Sequence, residues 1–541
     1  MKILGAWSGH DCSYSILEDG KPIIHDEYER FIREKEPAGD SLEFFTRENK
    51  CLYDDIDHIA TCVPVSKLKN YEESFRIASE ALNKKGGKIF TVGHHQAHAA
   101  NAFFSSNFES ATIITIDGGG VEIDNTVTAC TVSTGFGNNI GTPKALPISQ
   151  FNIGGLWTRA TRYIFKLQSG WPRGHQAGTV MAMAALGDAS RFYDDFHKML
   201  TSDLQMASHK PSTQPRGALV PGNDPVHPYL NRWVVIADQS DQDKYDLAAG
   251  LQAASENVFK ALLSLIFSQI KTKNLCLSGG VSLNSVMIGK IKEWFPHIEN
   301  VFVTPIPHDG GLAIGASQYV WHHVMGNPRI IWKDNFTPYL GKTYSREEVT
   351  NELKNHDNID LTEAVDTDVL NLLNDQKLVS VFGGGSESGR RALGNRSILA
   401  DPRSSSMKDI INEKVKHRQS FRPFAPSILR EEVSNWFTTD QSSPYMSFVL
   451  TFKDDKKELV PAVNHINNTA RLQSVTENDN KWYYGFLSEW NNLTGVPILL
   501  NTSFNDREPI CETPAHALAC FLRTNIDYLY FYDYGILVSK K

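Results

Sequence analysis

The residues of this chain best suited to chemistry crowd into positions 91–120, TVGHHQAHAANAFFSSNFESATIITIDGGG. His94 and His98 are four apart, so on a helix their imidazoles share one face. Residues 112–116, TIITI, read as a buried strand with Asp117 at its carboxyl end. Gly118, Gly119 and Gly120 follow, with no side chains to keep a phosphate from the backbone N–H groups. Two imidazoles and a carboxylate suit a borderline divalent metal, iron or zinc. A polar helix face and an ordinary turn would write a similar pattern; the combination in so short a span is what points to metal. His95 faces elsewhere on the same helix and reads as structural.

The same device recurs. Residues 274–278, NLCLS, run into SGGVSLN, where Gly279 and Gly280 allow close backbone approach. Val281 to Asn284 lead into a helix, whose N-terminus attracts an anion. A strand at 301–304 leads to PHDGG, in which Asp309 and Gly310 repeat the acid-plus-glycine pattern of Asp117. Three strands ending in glycine-rich turns, two of them with an acid, predict a cleft that binds phosphates and metal.

Stepping outward, residues 2–7 and 13–17 read as a hairpin around the polar loop SGHDC, which carries His10 and Asp11. Asp19-Gly20 turns the chain into a third strand at 21–28. The same order returns from 111: strand, loop DGGG, then a strand at 125–132. This predicts a duplicated α/β lobe with loops 8–11 and 117–120 facing each other, the architecture of the actin and sugar-kinase group. Residues 150–186 are rich in small residues and read mainly as helix packing. Residues 202–238 read as an irregular insertion, and 246–270 as a long amphipathic helix.

A charged stretch at 335–360 without an apolar stripe marks a boundary, giving domains 1–345 and 366–541. The second domain opens on a strand at 378–382 and then becomes dense in Arg and Lys, including Arg390, Arg391, Arg396, Arg403, Arg418 and Arg422. Arg forks suit phosphate and carboxylate, and Lys suits phosphate as a point charge. A strand at 496–505, VPILLNTSFN, carries Asn501 and Ser503 at its end, which favours an oxyanion pocket over a solvated basic face.

The whole chain sets limits. Its 541 residues exceed one ordinary core, and 41% hydrophobic with 21% charged residues is a globular composition. A formal charge of −8 disfavours a nucleic-acid partner. Seven scattered cysteines without a CxxC argue for a reducing compartment. No signal peptide and no membrane span are recognised, so a cytoplasmic location is expected. A homodimer is compatible with the sequence, which does not define the oligomeric state.

Taken together, GHDCS (9–13), HHQAH (94–98), TIDGGG (115–120), SGGVSLN (278–284) and PHDGG (307–311) resemble the metal-dependent domain of the ATP-dependent O-carbamoyltransferases. That family includes the nodulation-factor, cephem and tobramycin types and is related to the TsaD tRNA threonylcarbamoyl transferases. RRALGNRSILADPR (390–403), KVKHRQSFRPFAPS (414–427), TARLQSV (469–475) and PILLNTSFND (497–506) resemble the family's YrdC-like domain. The resemblance covers nearly the whole chain, in the same order.

It implies duplicated actin-like, RNase H-like lobes followed by a YrdC-like α/β domain. The second domain would make carbamoyl-adenylate and pyrophosphate from carbamoyl phosphate and ATP, with Mg²⁺ accompanying the ATP. The first would pass the carbamoyl group to a hydroxyl of a small molecule of natural-product type. By motif matching, His94, His98, Asp117 and Asp309 take the metal positions, with Fe²⁺ the expected ion. Arg391, Lys416, Arg422, Arg471 and Ser503 take those holding carbamoyl phosphate and the adenylate, and Asn395, Arg396 and Asn501 belong to the same motifs. His10, with Asp11 beside it, is the candidate for positioning or deprotonating the acceptor hydroxyl. The chain departs from the family pattern at 176–179 (Gln-Ala-Gly-Thr), at Asn467-Asn468 and at Arg390. An actin-like small-molecule kinase, a tRNA-modifying carbamoyl transferase and a non-catalytic scaffold are the competing readings.

Overall fold

The computed structural model describes residues 1–49, 53–62, 71–147, 151–167, 176–201 and 227–541. The chain divides into two compact units: residues 1–29 with 34–332, and residues 30–33 with 333–541.

The first unit is built from two sheets of one topology. Strands β1 (Lys2–Trp7), β2 (Ser13–Glu18), β3 (Lys21–Glu27), β4 (His58–Thr61) and β5 (Ile89–Thr91) lie in the order β3-β2-β1-β4-β5. The first three form an antiparallel meander, and β4 and β5 add parallel to β1. In the second sheet β6 (Ser110–Val121), β7 (Val127–Phe136) and β8 (Asn139–Ile140) form the meander, with β9 (Lys144–Pro147) also on β7. β10 (Asn274–Ser278) and β11 (Asn300–Val303) then add parallel to β6. The repeated order, with neither sheet closed, is the duplicated α/β lobe that the hairpin grammar predicted.

Helix His94–Phe104 carries the histidine pair and is buried on nearly every side, as its Ala and Phe residues dictate. Gln96 accepts the Gly93 N–H at 3.0 Å at its start. Arg329 donates to the carbonyls of Phe103, Phe108 and Ser106 at its end and stacks 4.0 Å over Phe103. This cation adds a favourable charge at the helix C-terminus, beside the Ser106 N–H and Oγ that also donate to the Phe103 carbonyl.

Three expectations are corrected here. The DGGG stretch is not a loop: β6 runs on through it to Val121, because β7 resumes pairing at Gly120–Thr128 after a register shift between Ile116 and Gly120. The shift releases residues 117–119 from the ladder, which frees Asp117 to turn away from it. Of the expected irregular insertion at 202–238, residues 202–226 lie outside the described residues, and His227–Ala237 is a helix. Leu230, Trp233, Val234 and Ala237 are buried on it, a helical spacing masked by the polar residues before it. The long helix begins earlier than expected, at Asp241, where Ser240 caps it by accepting the Asp243 N–H. Residues 168–175 of the small-residue segment are also outside the described residues.

The second unit holds one open, mixed sheet. Its strands are β12 (Ile359–Glu363), β13 (Val379–Phe382), β14 (Arg396–Ala400), β15 (Ala425–Leu429), β16 (Phe448–Thr451), β17 (Thr469–Val475), β18 (Ile498–Ser503), β19 (Tyr528–Phe531) and β20 (Ile536–Lys540). Their order is β12-β20-β19-β13-β14-β18-β15-β17-β16. Helix Lys481–Thr494, capped by Asn480 and ended at Gly495, packs Tyr483, Phe486 and Trp490 into the core of this sheet. Among the described residues no helix is long and apolar enough to cross a membrane, and the six described cysteines are buried and unbridged.

Candidate metal centre and anion pocket

In the first unit, helix His94–Phe104, the β6 shift and the turn Asp309–Gly311 deliver four side chains to one point. One ligand-type atom from each of His94, His98, Asp117 and Asp309 lies within 4.8 Å of the others. His98 Nε2 is 3.2 Å from Asp117 Oδ2 and 3.4 Å from Asp309 Oδ1; His94 Nε2 is 3.6 and 3.7 Å from the same atoms. Gly120 is required here: a Cβ at this position would stand 2.1 Å from His94 Cδ2.

These groups fit a metal on an observation of their own. The Nε2 atoms of His94 and His98 and Oδ2 of Asp117 are buried with no hydrogen-bond partner. Buried polar atoms are otherwise nearly always satisfied. His98 is turned into place by its other nitrogen, 3.1 Å from Ser278 Oγ, which leaves Nε2 facing the carboxylates. Burial opposes charge on His98, but Asp117 and Asp309 outweigh it and raise its pKa to about 9. Burial likewise opposes ionisation of Asp117, and the two imidazoles outweigh it, holding the acid well below its usual range.

His10 reaches this cluster from the β1–β2 loop. Its Nε2 is 3.2 Å from Asp309 Oδ2, and its Nδ1 pairs with Asp11 Oδ2 at 3.0 Å. Desolvation works against its charge, yet Asp309, Asp11 and Asp117 raise its pKa to about 10. Two residues that the sequence did not single out stand behind it: His308 Nε2 is 3.9 Å from Asp11 Oδ1 and 3.4 Å from Glu27 Oε1. The PHDGG run was the available signal for His308; nothing flagged Glu27. His95 turns away as expected and pairs with Glu122 at 2.6 Å.

The glycine-rich turns are placed less uniformly. Gly118 donates its N–H to Asp117 Oδ1 at 2.6 Å, and Gly310 offers its carbonyl to Ser13 Oγ and His25 Nε2, each at 2.8 Å. Gly119 and Gly279 adopt positive φ, +142° and +92°. A Cβ on Gly280 would lie 3.3 Å from Asp117 Oδ1, so SGGV borders the cluster. Val281 belongs to a short 3₁₀ turn that leads into the next helix, which Asn284 caps by accepting the Met287 N–H. Its amide also pairs with Gln252, so the Asn284 side chain is occupied within the protein.

The second unit holds a contrasting site. Arg391, Arg418 and Arg471 each have their ionisation depressed by neighbouring arginines, Arg422 among them in every case. Burial and the neighbouring arginines lower Arg391 well below its ordinary value. Burial and Arg422 bring Arg418 to about 9; burial, Arg418 and Arg422 bring Arg471 to about 10. Burial also lowers Arg422. None of these shifts has a carboxylate among its main causes, so the charge is held apart from acids and suits an anion from outside. Lys416, buried beside them in sequence, donates to the Ser503 carbonyl and to Asn505 O and Oδ1 at 2.8 and 2.7 Å. Ser503 Oγ donates to the same Asn505 oxygen at 2.7 Å.

Three other residues named from the motifs are engaged in holding the sheet. Arg396 is fully buried, donates to Gly383 O at 2.7 Å and stacks 3.6 Å over Phe382. Asn395 accepts from Asn480 and Tyr532 and donates to Gly385 O. Asn501 Nδ2 donates to Ser427 Oγ and Gln473 Oε1.

The chain thus joins a duplicated α/β lobe with a His₂Asp₂ cluster to a mixed-sheet unit with an arginine cluster. The family model described as carbamoyltransferase N-terminus matches residues 69–318, and carbamoyltransferase C-terminus matches residues 370–538. An uncharacterised protein of Synechocystis, sll1178, is 33% identical over 81% of this chain and 74% of its own length. Nodulation protein NolO of Bradyrhizobium diazoefficiens is 31% identical over 81% of this chain and 77% of its own, and nodulation protein NolNO of Sinorhizobium fredii 33% identical over 84% and 64%. The chain belongs to the carbamoyltransferase family.

Proposed function

We propose that this carbamoyltransferase activates and transfers the carbamoyl group at two sites, one in each unit. The observation that carries the reading is their opposite construction: an acid-and-imidazole cluster with orphaned buried atoms in the first unit, and an arginine cluster not offset by acids in the second.

In the second unit Arg391, Arg422 and Arg471 receive carbamoyl phosphate and ATP, with Arg418 beside them. Water releases phosphate from carbamoyl phosphate. The resulting carbamate oxygen attacks the α-phosphorus of ATP, and carbamoyl-adenylate forms as pyrophosphate leaves with Mg²⁺. Preorganised guanidinium groups offset the mutual repulsion of these anions where water is partly excluded. Lys416 adds a charge at the end of β18.

In the first unit His94, His98, Asp117 and Asp309 would hold a divalent ion, for which we infer Fe²⁺. When bound, it supplies a Lewis acid for the carbonyl oxygen of the carbamoyl group. With the charge of Asp309 and Asp117 spent on a cation, His10 keeps only Asp11 of the three acids that favour its proton and gives that proton up more readily. Its Nε2 can then take the proton of an acceptor hydroxyl. The hydroxyl oxygen attacks the carbamoyl carbon, and the bond to the AMP phosphate oxygen breaks. The acceptor is a small hydroxyl compound of natural-product type, and the place of action is the cytoplasm, where both phosphorylated substrates are available.

The test combines protein, carbamoyl phosphate, ATP, Mg²⁺ and Fe²⁺ with a panel of hydroxyl compounds. Mass spectrometry should show one added carbamoyl group, with pyrophosphate and AMP as co-products. A phosphorylated acceptor with ADP, formed without carbamoyl phosphate, would instead identify a kinase.

A further inference from the structure

We infer that Trp7, at the end of β1, is a positioning residue that sets where the His10 ring stands against the His94/Asp309 cluster. The inference rests on the transferase reading above, to which it adds a residue.

Three contacts converge on this indole. Its Nε1 donates to the His10 carbonyl at 2.7 Å, pinning the backbone of the residue whose side chain enters the site. Its ring packs edge-on against the His94 imidazole, with centroids 5.7 Å apart. Gly9 lies close against the indole: a Cβ there would sit 2.3 Å from Trp7 Cζ2. Trp7 is itself anchored, partly buried against a core cluster that includes Leu312 and Ala316.

The loop around it is built to be held. Ser8 Oγ and Ser41 Oγ are 2.7 Å apart on one side, and Ser13 Oγ donates to Gly310 O on the other. Between them Asp11 takes φ +57°, a conformation costly for a residue with a Cβ. That twist puts the Asp11 carboxylate on His10 Nδ1 while Nε2 faces Asp309. The His10 side chain is otherwise 44% exposed, so its backbone anchor matters to where the ring can go. Trp7 thus ties a residue placed at the acceptor to a residue placed at the metal, touching neither acceptor nor reacting atoms.

The decisive substitution is Trp7→Phe, which keeps an aromatic ring against His94 and deletes the donor. In the full chain we expect kcat for transfer from supplied carbamoyl-adenylate to fall about 10- to 100-fold, the usual consequence of misplacing a reacting group. Acceptor KM, divalent-metal content and ATP-dependent pyrophosphate release should stay within twofold. Gly9→Ala, which lifts the loop off the indole and leaves the donor in place, should reproduce the kcat loss. A second readout needs no substrate. In metal-free protein labelled with ¹³C at histidine Cε1, the resonance that His10→Ala removes should shift or broaden in Trp7→Phe. A folded Trp7→Phe protein with an unmoved His10 resonance overturns the inference, as does unchanged kcat. Equal losses of transfer, metal and pyrophosphate release would show a merely structural role. If the wild type transfers no carbamoyl group while the resonance moves, the transferase reading fails and the positioning role stands.

Discussion

His98 Nε2 and Asp117 Oδ2 lie 3.2 Å apart, buried, and neither atom has a hydrogen-bond partner. The imidazole comes from a helix and the carboxylate from the register shift of a neighbouring strand, so only packing of that helix on the sheet brings them together. With Asp309 and His94 close by, the two atoms are placed where one cation could meet both. From this relationship the first expectations follow.

One divalent ion should bind per chain. His98→Ala should remove metal and carbamoyl transfer together while circular dichroism and melting show a folded protein. Elemental analysis checks it; full occupancy in a His98→Ala, Asp309→Ala double variant would sink the assignment.

Metal binding should weaken in acid. His98 has a pKa raised to about 9 by Asp117 and Asp309 against the effect of burial, so near neutrality the metal-free ring is protonated. A ligand nitrogen must be neutral, so binding expels this proton, and affinity should fall as pH drops below 9. The stability of the metal-free protein runs the other way. A pKa raised on folding stabilises fully below the unfolded value near 6.5, and that contribution is lost as pH rises through the folded value of about 9. Calorimetric titration in two buffers of different ionisation enthalpy, beside melting curves across this range, reads both effects; a proton-neutral titration would contradict the first.

Gly120→Ala should damage the metal centre without removing a ligand. Its Cβ would fall 2.1 Å from His94 Cδ2, so the imidazole must swing away. We expect metal affinity to drop at least tenfold while pyrophosphate release persists. Wild-type affinity would show that His94 is free to adjust.

The two half-reactions should separate by mutation. Arg422→Ala should cost roughly 2–4 kcal/mol of transition-state stabilisation, about 30- to 1000-fold, in carbamoyl-phosphate-dependent pyrophosphate release. It should still transfer from supplied carbamoyl-adenylate. His94→Ala should do the reverse. If both folded variants lose the same half-reaction, one shared cleft replaces two sites.

The sequence by itself determined the repeated strand order, because hairpins such as β1–β2 are written in local alternation and turn residues that need no distant partner. It also determined which side chains could bind metal, since His94 and His98 share a helix face whatever the helix packs against. It could not place the ends of elements that tertiary contacts extend. β6 runs on through Asp117–Gly120 because β7 resumes pairing with it at Gly120 and Val121, and no local propensity of DGGG encodes that. Nor could it distinguish arginines that carry charge into a pocket from arginines that hold the sheet. Arg391 and Arg396 stand in one basic run, yet Arg396 spends its donors on Gly383 and Asn395 carbonyls while Arg391 faces other arginines. Trp7 and Glu27 carried no signal in the sequence, and His308 only that of the PHDGG run, because their places depend on distances from Trp7 to His10, from His308 to Asp11 and from Glu27 to His308 that only the folded chain sets.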